Sequence, residues 1–93
     1  MSTSPDEFIK DPDARLDYHW DWTPWMVPGD TIDSHSIIVV GDVTADTDSH
    51  TDSTVTTWIE GGTANTRAEV TARITTVGGR TDDRTITLFV RHL

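Results

Sequence analysis

Asp42, Asp46, Asp48 and Asp52 crowd one polar stretch, with His50 among them. Carboxylate oxygens at alternate positions are the ligands a calcium ion takes. The spacing departs from an EF-hand loop, which places Gly sixth and Glu twelfth. A solvated acidic loop from Asp46 to Ser53 explains the same residues, and no metal is assigned. The histidines, His19, His35, His50 and His92, lie in different segments without an H-x-x-x-H spacing. A zinc site is therefore not expected.

Catalysis finds little to work with. The chain has no Cys, no G-x-S-x-G elbow and no Gly-rich phosphate loop. Asp17 and Asp21 share one face of a strand, roughly 13 Å apart at strand rise. Glycosidase carboxylates stand roughly 5–9.5 Å apart. The chain reads as a non-enzyme that needs no cofactor.

Binding chemistry is better represented. Three of the four Trp residues fall at 20, 22 and 25, in the run Lys10 to Trp25. Leu16, Tyr18, Trp20 and Trp22 alternate with Asp17, His19 and Asp21, the period of a strand with one buried face. These four aromatic and aliphatic side chains are assigned to the core. Trp25 follows Pro24 and precedes Met26 in a connection, so Trp25 and Met26 are candidate interface anchors, a role for which Trp is enriched. Arg80 and Arg84 flank Thr81-Asp82-Asp83 and could make bidentate pairs with a neighbour's carboxylates. Phe8 and Ile9 are the apolar grip of the first thirteen residues.

The elements that position these groups are all short strands. Residues 1–13, with Pro5 and Pro12, read as a flexible N-terminal arm. Residues 14–93 read as one domain. Strands are expected at about 14–22, 31–40, 43–45, 54–60, 67–76 and 84–91, separated by Gly, Asp and Pro turns. The tail Ile37-Ile38-Val39-Val40 is apolar on both faces and suggests burial on both. In the final hairpin, Ala68, Val70, Ala72 and Ile74 face inward, as do Ile86, Leu88 and Val90. Core assignments there are Val70, Ile74, Ile86 and Leu88. No segment shows a 3.6-residue period, and the fold class is all-β, an antiparallel β-sandwich.

Composition narrows the partners. Seven Lys+Arg against sixteen Asp+Glu give a net charge of −9 over 93 residues. Nucleic acid and anionic membranes are disfavoured, because phosphate binding needs a basic face. Hydrophobic content is 34% and there are no cysteines, so a small core lacks disulfide staples. Support from neighbouring subunits, including copies of itself, is expected. No apolar run approaches the roughly 18 residues of a membrane span, and the N-terminus lacks signal-peptide character. Synthesis in the cytoplasm is expected.

Several ordered motifs carry a resemblance: Lys10-Asp11-Pro12-Asp13-Ala14, Leu16-Asp17-Tyr18, Asp21-Trp22, Gly29-Asp30-Thr31-Ile32, Gly61-Gly62-Thr63-Ala64, and Ile74 to Ile86. Over about residues 9–92 the chain resembles a family of small tailed-bacteriophage virion proteins, often described as fibre-tail adaptors. The resemblance implies a single immunoglobulin-like sandwich of about seven strands, placed in the virion by contacts with other phage structural proteins. Family members often carry an aromatic near Glu69. Here Arg67, Ala68 and Glu69 stand there instead, so no tyrosine corner forms at that point. The implied function is a non-enzymatic tail/fibre adaptor, made in the host cytoplasm. A capsid decoration protein on the head surface is the alternative, and a carbohydrate-binding module with a Trp platform is the third.

Overall fold

Threonine, valine and isoleucine at period two favour the pleated backbone, because branched side chains pack well on it. The computed structural model describes residues 6–93. Its strands are β1 (Asp6–Lys10), β2 (Leu16–Asp21), β3 (Ile32–Val40), β4 (Val43–His50), β5 (Thr54–Gly61), β6 (Thr66–Thr76) and β7 (Thr81–Val90). They form a four-stranded sheet, β1-β7-β6-β3, and a three-stranded sheet, β2-β5-β4. The β1–β7 pair is parallel and the other pairs are antiparallel. With β2 to β7 lettered B to G, the order is G-F-C on one sheet and B-E-D on the other, a β-sandwich of two sheets. The first strand lies beside G.

The core sits between the sheets. Trp20, Trp22, Val55, Ile59, Val70, Ile74, Leu88 and Val90 are buried, together with Tyr18, Ile32, Val43, Ala68, Ala72 and Ile86. Trp20 and Trp22 differ in one respect. The Trp22 indole Nε1–H donates to Asp82 Oδ2 at 2.9 Å. The Trp20 Nε1–H is buried with no partner among the described residues.

Four expectations change. First, Asp6–Lys10 is a strand of the larger sheet rather than part of an arm; residues 1–5 of that arm lie outside the described residues. Phe8 meets Tyr18 edge-on at 5.2 Å. Lys10 is fully buried, and its ammonium donates to Gly61 O at 2.6 Å and Asp11 O at 3.0 Å. Burial lowers the Lys10 pKa from its ordinary value, with Asp11, Asp13 and Glu60 opposing. The chain then closes behind it, as Arg91 N–H donates to Lys10 O at 3.0 Å.

Second, the acidic stretch is not a loop up to Ser53. It continues β4 to His50, paired on β5 with a register irregularity between Ala45 and Asp48. Third, Leu16 keeps the inward parity of Tyr18 but is 43% exposed. It opens edge strand β2, where the facing sheet does not cover it. Fourth, β3 is also an edge strand. Ile37 and Val39 pack on the core, while Ile38 and Val40 face solvent, Val40 at 62% exposure.

The β3–β4 turn is set by Gly41, whose φ is +121°. A Cβ placed there would lie 2.7 Å from Ala68 Cβ and 2.8 Å from Ala68 Cα.

Candidate functional site

The residues singled out for binding separate into two groups, one at each end of β7. Ten residues of strand put the two ends about 30 Å apart, within a molecule whose longest dimension is 43 Å.

At the β7 start, the connection after β2 coils into a turn: Trp25 N–H donates to Trp22 O at 2.9 Å and Met26 N–H to the same oxygen at 3.0 Å. That coil lays Trp25 and Met26 against the core, so both are half-buried. Arg80 stands 5.8 Å from the Trp25 ring, close enough for a cation–π attraction. Val27, Pro28, Asp30, Val77 and Arg80 line an open depression of about 320 Å³. Val77 at its lip is 69% exposed.

Asp30 braces this end. Its Oδ1 accepts from Thr31 N at 3.0 Å and Gly78 N at 2.9 Å, clamping the β6–β7 turn. Its Oδ2 is buried without a hydrogen-bond partner among the described residues. The Thr76 hydroxyl, the Gly78 and Thr31 amides and the Arg80 charge together hold the Asp30 carboxyl below its ordinary pKa. Asp11, Asp21 and Asp83 are lowered too: by the Asp13 and Leu93 amides, by the hydroxyl and amide of Thr23, and by the Arg73 guanidinium.

A pH prediction follows from these directions. A carboxyl with a depressed folded pKa stabilises the fold fully above its unfolded value, about 3.9. That stability is lost as pH falls through the folded value, because the unfolded chain takes up protons first. The melting temperature should stay level down to about pH 5 and fall below about pH 4. Asp30→Asn should flatten the acid limb. An acid limb equally steep in Asp30→Asn would show that this carboxylate is not a contributor.

Arg84 does not wait for a neighbour. Its guanidinium lies 5.0 Å over the Trp22 ring. Nη1 donates to Asp21 O at 3.1 Å, and Nε stands 3.4 Å from Asp82 Oδ2. It fastens β7 to the end of β2.

At the β7 finish, Ile9 and Phe89 are register partners on adjacent strands, and Phe89 is opposite Arg67 on β6. Ile9 and Phe89 are both exposed. With Asn65, Thr66 and Arg91 they surround a depression of about 510 Å³. Phe8 points the other way, onto Tyr18, and closes the sandwich edge. Sequence reading missed Phe89, Arg67 and Arg91. The signal was parity: Ile86, Leu88 and Val90 face inward, so Phe89 is a large aromatic on the outward face.

The remaining chemistry is dispersed. Asp46 is held by Arg15 at 2.7 Å, and Asp42 accepts from the Thr63 hydroxyl. Arg15 also covers Trp58, 4.6 Å from its ring. Among the described residues no group of three or more His, Cys, Asp or Glu could hold a metal ion. The tryptophan platform expected of a sugar-binding module is not formed, since Trp20 and Trp22 are buried and Trp25 is half-covered. No helix among the described residues is long and apolar enough to cross a membrane.

The sequence matches, over residues 10–89, the family described as podophage GP4 fiber-tail adaptor protein gp77. No curated protein matches the chain. The match covers most of the sequence, and the chain belongs to this fibre-tail adaptor family.

Proposed function

We propose, from that membership, that the sandwich is a two-ended connector, docking on a tail protein with one end and on a fibre protein with the other. The observation that carries this reading is the placement of two apolar patches, each with arginine, at opposite ends of β7. One is Val27, Val77 and Arg80 beside Trp25. The other is Ile9, Phe89, Arg67 and Arg91. Both combine a desolvatable apolar centre with a cationic rim, in a chain whose net charge is −9. Apolar centres supply affinity and polar rims fix orientation. Carboxylates on the partners would meet the arginines, and the acidic remainder of the surface would repel other copies of itself in wrong orientations.

The test separates the ends. Val77→Asp and Phe89→Asp change exposed side chains and should leave the melting temperature nearly unchanged. Each should then block a different junction: one variant leaves particles without the adaptor, the other leaves adaptor on the tail without fibre. Both variants assembling complete tails would overturn the two-ended reading.

A further inference from the structure

His35 and His50, distant in sequence, meet where the two sheets come together at their open edge. His35 on β3 is opposite Ile74, and His50 on β4 is opposite Val55. Their partners are core residues, so both rings point into the layer between the sheets. The two Nδ1 atoms stand 2.5 Å apart, with the ring planes crossed at 80°. That is closer than the roughly 2.7–3.2 Å of an ordinary hydrogen bond from N–H.

Asp48 fixes the proton positions. It lies two residues before His50 on the same strand, and its Oδ1 is 2.6 Å from His35 Nε2. An ionised carboxylate only accepts, so His35 Nε2 carries the hydrogen. A neutral His35 then has its lone pair on Nδ1, aimed at His50 Nδ1. This is the arrangement of a metal-binding histidine: one nitrogen held by a carboxylate, the other free to ligate. Without an ion, His50 Nδ1–H donates to His35 Nδ1; His50 joins the site by taking the tautomer with its hydrogen on Nε2, which frees a second lone pair beside the first.

We propose that His35 and His50 form a two-imidazole site for a divalent transition-metal ion of the zinc class, with Asp48 as the positioning residue. Zinc–nitrogen bonds of about 2.0–2.1 Å at a tetrahedral angle hold two nitrogens about 3.3 Å apart. The rings need to part by less than about 1 Å from their present separation to admit the ion. Both sit on edge strands, where a shift of that size disturbs no further strand pairing. Water completes the coordination, so the site is an open chelate rather than a closed structural cage. Imidazole nitrogens select zinc, nickel or copper over calcium and magnesium, which prefer oxygen. A bound ion ties β3 to β4 and so bridges the two sheets.

Titration of the full chain with zinc chloride by calorimetry, and with cobalt by visible absorption, tests this. One ion per chain is expected. His35→Ala and His50→Ala should each abolish binding, and Asp48→Asn should weaken it about 10–100-fold. His19→Ala and His92→Ala should leave it unchanged. Should a histidine variant fail to fold, zinc added to the wild-type chain must shift the ring resonances of His35 and His50 in NMR spectra. No binding up to about 1 mM metal, binding that survives loss of both residues, or ring shifts confined to His19 and His92 would each overturn the site.

Discussion

Trp22→Ala is expected to destabilise the fold by about 3–5 kcal/mol, the range for emptying a large aromatic site in a core. A domain of this size has about 5–15 kcal/mol in total, so the variant should be largely unfolded on mild heating. The magnitude rests on three losses at one place. The ring is fully buried. Its N–H holds Asp82, and its face carries the Arg84 guanidinium, which in turn bonds Asp21 O. Removing the indole leaves Asp82 with Arg84 alone and opens a void between the sheets. Trp22→Phe separates the contributions, because it keeps a ring and loses the donor. It should cost roughly 1.5–3 kcal/mol, the range for a hydrogen bond to a charged group. Denaturant midpoints measure both. A cost below about 1 kcal/mol for Trp22→Ala would place the support of this end elsewhere.

Gly41→Ala carries an expected effect of comparable size, about 2–6 kcal/mol. Two penalties add. A non-Gly residue at this φ is strained by about 1–3 kcal/mol. The new methyl also collides with the Cα and Cβ of Ala68, and overpacking a core costs typically 1–3 kcal/mol. Backbone on the opposing strand cannot swing aside as a long side chain would. Gly29 provides the control, with φ at +84° and nothing within 4 Å of the added methyl. Gly29→Ala should show the strain alone. Equal losses in the two variants, read from denaturant midpoints, would mean that the Ala68 contact is relieved by movement of the turn.

Much of the sandwich was legible because its strands have one wet face. Val70, Ala72 and Ile74 alternate with Thr71 and Arg73, and the period of two alone identifies the buried set. The same logic found Tyr18, Trp20 and Trp22, and failed at Leu16 because periodicity does not report where the opposite sheet ends. Strand β4 was missed for a related reason. An edge strand is half-solvated, so Thr44-Ala45-Asp46-Thr47-Asp48-Ser49 can pair with β5 while looking like a loop. That error hid the site as well: once 48–50 is strand, Asp48 and His50 share a face. His35 could not have been added from spacing, since it arrives through the pairing of a different sheet. The docking ends were half-visible. Trp25, Met26 and Arg80 stood out by type and by neighbouring Pro and Gly. The Ile9–Phe89 patch depends on a parallel pairing between strands at opposite ends of the sequence, which no local pattern encodes.

That pairing has a consequence for how the protein comes to be folded. Asp6 is in register with Ile86, so β1 leaves the ribosome long before its partner β7 has been made. Until then Phe8 lacks the strand that positions it against Tyr18, and Lys10 cannot reach its buried place. Pairings this distant in sequence slow folding, since the entropy of closing the loop is lost before any contact compensates it. The sandwich should therefore assemble late and as a unit once β7 has emerged, with the half-made chain holding its apolar β2 face exposed to chaperones. Nascent chains halted before Thr81 should remain protease-sensitive throughout.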